Sequence, residues 1–249
     1  MDVDVIAGNY AAVQERIARA ARNAGRDPHD ITLVAVTKTW PAEVVLAAYE
    51  VGMRHFGENR PEELAPKRQT IEAVLGKDSG IVWHLIGAAQ SRKTDLIAAH
   101  ADVFHALDRL KIARRLSTRL AELGRTLPTL LEVNVSGETS KAGFNCSHWE
   151  EDTAQQADLL ATATAISELP GLHVCGLMTM APWEAPPAYI QTVFRRTRLL
   201  AVWLQERLSR VTFSHLSMGM TDDFEIAVAE GATHVRVGRA LFGERQERG

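Results

Sequence analysis

The sequence predicts an α/β fold of the (β/α)8 barrel (TIM barrel) type. Three observations carry this. Eight short β-branched or apolar runs recur along the chain, longer stretches with helical spacing separate them, and 249 residues is the usual size of such a barrel. A doubly wound open sheet shares the rhythm. However, no Gly-x-Gly-x-x-Gly follows the first strand, which speaks against a dinucleotide-binding version of that sheet.

The elements follow in order. Residues 5–24 read as a helix additional to the barrel, with Ile6, Tyr10, Val13, Ile17 and Ala20 on one face. The first strand is 31–37 and leads to a helix over 41–50, where Pro41 suits the first helical position. Strands two to four are 54–57, 82–87 and 103–107. A helix over 108–123 ends at Gly124, a natural C-terminal cap. Strand five, 129–135, precedes a helix over 148–169 that Pro170-Gly171 stops. Strand six, 173–180, precedes a long helix over 187–210. Strand seven is 212–218. The helix after it, 221–230, opens on Thr-Asp-Asp, suited to capping. Strand eight is 234–238. This accounting leaves 1–249 as one domain.

Composition excludes several function classes. A net charge of −3 argues against broad nucleic-acid binding. No apolar run reaches the ~20 residues of a membrane span, and the acidic, then amphipathic N-terminus is unlike a signal peptide. Cys146 and Cys175 form no CxxC, so a reduced, cytoplasmic protein is expected. The histidines form no HxH or HExxH, so no zinc site is expected.

A barrel carries its active site at the C-terminal ends of its strands. Strand one delivers Lys38 there, one of only six lysines. A lysine at the end of an apolar strand is partly desolvated, which favours the neutral amine that forms Schiff bases. A lysine snorkelling into solvent is the competing reading. Strands seven and eight end in Ser217-Met218-Gly219-Met220 and Gly238-Arg239-Ala240. Loops after these strands often bind phosphate, with glycine admitting the anion to the backbone and Ser217 donating its hydroxyl. Turn geometry alone would also explain Gly219 and Gly238. A Schiff-base lysine and a phosphate cup in one mouth fit pyridoxal 5′-phosphate. Arg236 shares a strand face with Gly238 and could meet the pyridine nitrogen, or could pair with Asp222, Asp223 or Glu225 at the rim. His84 reads as a satisfied core histidine, Glu58-Asn59 as a cap for the next helix, and Lys141 as a solvated loop residue.

The segments LVAVTKTWP, HFGEN, WHLIGAAQSRK, LLEVNVSGETSKAGF, GLMTM and HLSMGMTDDFEIAVAEGATHVRVGRALFG together resemble the pyridoxal phosphate homeostasis proteins, nearly end to end. The resemblance implies the alanine racemase N-terminal-like barrel, pyridoxal phosphate fold type III. It makes Lys38 the internal-aldimine lysine and Arg236 the partner of the pyridine nitrogen. Ser217, Gly238 and the Arg239 backbone become phosphate ligands, with Asn59 and Met218 near the ring. Three stretches depart from the family pattern: Arg60-Pro61-Glu62-Glu63, Ala89-Gln90-Ser91-Arg92-Lys93, and Arg239 in place of a hydroxyl residue. The implied function is a pyridoxal phosphate carrier in cofactor homeostasis, with cofactor-dependent apo-enzymes as possible acceptors. An arginine on the ring nitrogen makes a poor electron sink. The alternative is a weak amino-acid racemase, argued from the shared half-fold alone.

Overall fold

A computed structural model describes residues 2–209 and 211–244. The strands are β1 (Thr32–Val36), β2 (His55–Glu58), β3 (Val82–Leu85), β4 (Val103–Leu107), β5 (Leu127–Asn134), β6 (Phe144–Asn145), β7 (Leu172–Met178), β8 (His215–Ser217) and β9 (His234–Val237). All but β6 join in one parallel ring. Each pairs with its neighbour in that order, and β9 returns to β1 with Val34 opposite Arg236. The short β6 extends the edge of β5 only. The eight-stranded barrel is thus closed, as the spacing predicts.

The helices are α1 (Val3–Asn23), α2 (Ala42–Glu50), α3 (Pro61–Leu75), α4 (Thr94–His100), α5 (Leu110–Leu123), α6 (Thr153–Ser167), α7 (Pro187–Gln205), α8 (Phe224–Ala229) and α9 (Arg239–Phe242). The additional helix α1 packs on α8, α9 and α2 and buries Ile6, Val13, Ile17 and Ala21. Arg16 pairs with Glu225 at 2.7 Å, and the Asn9 amide donates to the Leu241 carbonyl at 3.0 Å. These bonds lock α1 into the ring of helices.

Spacing does not predict α3 and α4. In α3, Pro61 stands at the start and Pro66 lies inside, in a polar stretch whose apolar period is faint. Pro66 has no N–H for the ladder, so burial of Leu64, Ala65 and Ile71 must hold the helix. The seven residues of α4 are too few to show a period. Gly124 caps α5 at φ 62°, as expected. The helix expected from 148 begins only at Thr153, because Asp152 Oδ1 takes the Ala154 and Gln155 N–H groups at 2.9 and 3.1 Å. The helix α7 ends at Gln205, short of the expected end at Arg210, and Arg210 itself lies outside the described residues. The helix α8 also starts late, at Phe224 instead of Thr221. Asp223 Oδ1 accepts the Met220 N–H at 2.6 Å, and that turn occupies the residues expected to open the helix.

Candidate functional site

Successive residues on a strand face opposite sides. In this barrel the rule stacks the interior in layers. His55, His215 and His234 lie at the N-terminal ends, His84, His105 and Ser217 lie above them, and Lys38, Asn59 and Gly238 close the C-terminal end. The C-terminal mouth is a cavity of about 330 Å³. Lys38, Asn59, Arg236, Gly238 and Arg239 all line it. Ser217 and Met218 do not. Both are fully buried, Ser217 against Arg236 and His105 beneath the mouth.

Arg236 is only 4% exposed and forms no rim ion pair among the described residues. Its NH1 donates to Ser217 Oγ at 2.6 Å and its NH2 to the Thr179 carbonyl at 3.0 Å. Burial pulls the guanidinium down to about 10, with Asp223 and Glu132 pulling the other way. The carboxylates read as rim partners are otherwise engaged. Glu225 holds Arg16, Asp222 pairs with Arg239, and Asp223 folds inward onto the Met220 N–H.

Gly219 and Gly238 differ in kind. Gly219 has φ 95°, and an added Cβ would stand 2.6 Å from the Ala227 Cβ, so the fold itself requires glycine. Gly238 has φ −119°, and an added Cβ would meet nothing nearer than Val36 at 3.4 Å. Its missing side chain leaves space in the mouth and serves no turn.

Two contributors to the mouth, Glu132 and Trp183, went unread in the sequence, and Lys141 beside it was read as solvated. Glu132 lines the cavity at 3% exposure, and its Oε2 has no partner among the described residues. Burial raises this carboxyl to about 7; Asp108 adds to the rise and Arg236 opposes it. A lone carboxylate in the apolar run LLEVNV was the available signal. Trp183 is 66% exposed at the rim, with the Arg239 guanidinium 5.2 Å from its ring centre. Lys141 is held rather than solvated. It donates to the Met180 carbonyl at 2.8 Å and pairs with Glu138 at 3.2 Å, beside a rim that includes Ala142 and Met180.

Glu58 faces α3 and caps nothing. His84 is a satisfied core residue, as expected, but its partners are two more histidines, His55 and His105. The histidines that look scattered in sequence therefore converge. Among the described residues no cluster of three or more His, Cys, Asp or Glu is placed to hold a metal ion, and no helix is long and apolar enough to cross a membrane.

The chain matches the alanine racemase N-terminal domain family over residues 8–246. It is 43% identical over 243 residues to the pyridoxal phosphate homeostasis protein of Pseudomonas aeruginosa, covering 98% of this chain and 97% of that one. The Escherichia coli protein of the same name is 41% identical over 241 residues, covering 96% and 97%. Among solved structures, PipY of Synechococcus elongatus with pyridoxal phosphate bound superposes with a TM-score of 0.79 at 35% identity, over 96% of this chain and 100% of that one. Alanine racemase of Clostridium difficile has a TM-score of 0.71 at 14% identity and is matched over 58% of its length, a likeness of fold.

Proposed function

The chain belongs to the family of pyridoxal phosphate homeostasis proteins, and from that premise we propose that its mouth cavity binds pyridoxal 5′-phosphate and that it serves as a carrier in cofactor homeostasis. The observation that carries the reading is the convergence of Lys38, Arg236 and Gly238 on one cavity of about 330 Å³. When bound, the cofactor supplies an aldehyde that condenses with an amine, on an electron-withdrawing ring.

The residues present fit such a group. Lys38 supplies an amine at the end of a strand buried along its last three residues. Arg236 presents a fixed guanidinium, held from behind by Ser217 and Thr179, and can only donate to a ring nitrogen. Glu132 adds a buried carboxyl to the wall, its Oε2 without a partner among the described residues. Gly238 leaves room for an anion, and Arg239 stands beside it to supply charge. Ser217 reaches the cofactor through Arg236 in this reading, since the hydroxyl is already committed to that residue and to His105. Met218 is fully buried and lines no part of the cavity, so it does not touch the ligand in this reading.

An arginine here favours holding over turnover. It keeps a ring nitrogen unprotonated, which weakens the electron sink that carbanion chemistry needs. Cofactor-dependent apo-enzymes in the cytoplasm are then the acceptors. Two buried, unpaired cysteines, Cys146 and Cys175, agree with a reducing compartment.

The test is an absorbance spectrum of the purified protein, then borohydride reduction and peptide mapping. A reducible chromophore fixed on Lys38 is expected, and Lys38→Ala should lose it while keeping the fold. A label on Lys93 or Lys141, or no chromophore after addition of pyridoxal phosphate, overturns the assignment.

A further inference from the structure

Five of the nine histidines meet inside the barrel, and three of them form a column. His55 Nδ1 lies 3.0 Å from His84 Nε2, His84 Nδ1 lies 2.8 Å from His105 Nε2, and His105 Nδ1 lies 2.8 Å from Ser217 Oγ. Arg236 NH1 donates to the same oxygen at 2.6 Å. The column starts at a cavity of about 640 Å³ at the N-terminal ends of the strands, lined by His55 and His84, and ends at Arg236 in the opposite mouth.

Donor bookkeeping gives the column a direction. Arginine has only donors, so Arg236 fills one lone pair of Ser217. The serine's own hydrogen then goes to His105 Nδ1. A neutral imidazole carries one hydrogen. His105 therefore bears it on Nε2 and donates to His84 Nδ1, and His84 likewise donates from Nε2 to His55 Nδ1. The His55 hydrogen is left on Nε2. All bonds run from Arg236 down to His55, and no hydrogen of the column above His55 is wasted. The reverse arrangement would strand the hydroxyl hydrogen of a fully buried serine.

We propose that this column is a positioning device for Arg236 whose direction a proton on His55 reverses. With His55 an imidazolium, both its nitrogens bear hydrogen and Nδ1 donates to His84 Nε2. His84 and His105 each keep one hydrogen and move it to Nδ1. The column has gained one proton and lost none. Ser217 Oγ now accepts from both His105 and Arg236, and its own hydrogen leaves the column. Bonds that ran head to tail, each polarising the next, now meet at one oxygen. The hold on Arg236 weakens.

His55 is the member that takes the proton. It is half-buried, whereas His84 and His105 are sealed in, and burial drives both inner rings far below the ordinary histidine range. The groups facing His55 are His84 on β3, His234 on β9 and, around the same cavity, His173, His215, Arg26 and Asp30. His234 is held at about 3 by burial, and the His215 ring packs on His234 rather than on the column.

The consequence for the mouth rests on the cofactor reading above, but the reversal itself does not. Long-range proton–nitrogen NMR of the ¹⁵N-labelled protein without cofactor tells the two ring nitrogens apart. At pH 8 all three rings should carry hydrogen on Nε2. On acidification His84 and His105 should switch to Nδ1–H, with the midpoint of His55 and without becoming charged. Inner rings that begin as Nδ1–H, or that keep their tautomers while His55 titrates, overturn the proposal. His55→Gln then tests the link to Arg236, since glutamine cannot titrate. Between pH 8 and 5 the native protein should lose about threefold more affinity for pyridoxal phosphate than the variant. Equal losses overturn the coupling. If neither protein binds pyridoxal phosphate, the cofactor reading falls and the tautomers alone decide the column.

Discussion

The Lys67 ammonium lies 2.5 Å from the Glu58 carboxylate, and both are buried between the barrel wall and α3. Lys67 also donates to the Thr37 carbonyl at 3.0 Å, and the Thr37 hydroxyl donates to the same Glu58 oxygen at 2.7 Å. One three-residue knot thus ties α3 to the ends of β1 and β2, where the chain delivers Lys38 and Asn59. Burial raises the Glu58 carboxyl despite the lysine beside it, and its second oxygen has no partner among the described residues.

Breaking that knot on one side should be costly. Lys67→Met strands a buried carboxylate and should lower unfolding stability in urea by about 3–5 kcal/mol. The double variant Glu58→Gln with Lys67→Met removes both charges and should recover most of that loss. A single variant within about 0.5 kcal/mol of the native protein would show that the pair is solvated and braces nothing.

The barrel and most of its mouth were legible because they follow from local rules. Alternation reveals a strand, and the residues just past its end fall at the mouth, as Lys38, Gly238 and Arg239 do. Arg236 was legible as a mouth residue from its spacing to Gly238, yet not its anchoring, since Ser217 and Thr179 come from other strands. The histidine column was illegible for the same reason. Its members stand one to a strand, 21 to 29 residues apart, and only ring closure brings them together. The helix α3 was hidden by two prolines, and Asp223 by a turn that replaces the expected start of a helix.

Glu132 should make stability fall with rising pH. Its carboxyl sits at about 7 in the folded protein against 4.5 when exposed, so between these values the folded state holds more protons than the unfolded one. Stability is therefore lost as pH rises through this window, by about 3 kcal/mol in all. Glu132→Gln removes the effect. The variant should gain on the native protein between pH 5 and pH 8 in urea unfolding. An unchanged difference across that range would place the carboxyl at its ordinary value.

Alanine racemisation should be slow. Arg236 cannot hand a proton to a ring nitrogen, and among the described residues no tyrosine lines the mouth to act as a second acid–base group. A coupled assay for D-alanine with saturating pyridoxal phosphate should give well under about 1 s⁻¹, a rate at the low end for enzymes. Turnover above that value would make the protein a racemase and remove the case for a carrier.

The phosphate should dominate affinity for the cofactor. Gly238 leaves open space next to Arg239, whose guanidinium is paired with Asp222 and lies over Trp183. An anion arriving here competes with Asp222 for that guanidinium. Each charge-assisted hydrogen bond contributes roughly 1.5–3 kcal/mol. Pyridoxal without its phosphate should therefore bind about a hundredfold or more weakly, at about 1.4 kcal/mol per tenfold. Gly238→Val should weaken the phosphorylated form without unfolding the barrel, because the backbone there has an ordinary φ and a Cβ has room. Asp222→Asn should do the opposite. It leaves Arg239 paired, among the described residues, only with Glu244, 3.6 Å away, and removes a nearby negative charge, so pyridoxal phosphate should bind a few-fold more tightly while pyridoxal is unaffected. Spectrophotometric titration of the three proteins with both compounds separates these effects. Matching curves for pyridoxal and its phosphate in the native protein would show that the loops after β8 and β9 are ordinary turns and that charge at this rim does not select the ligand.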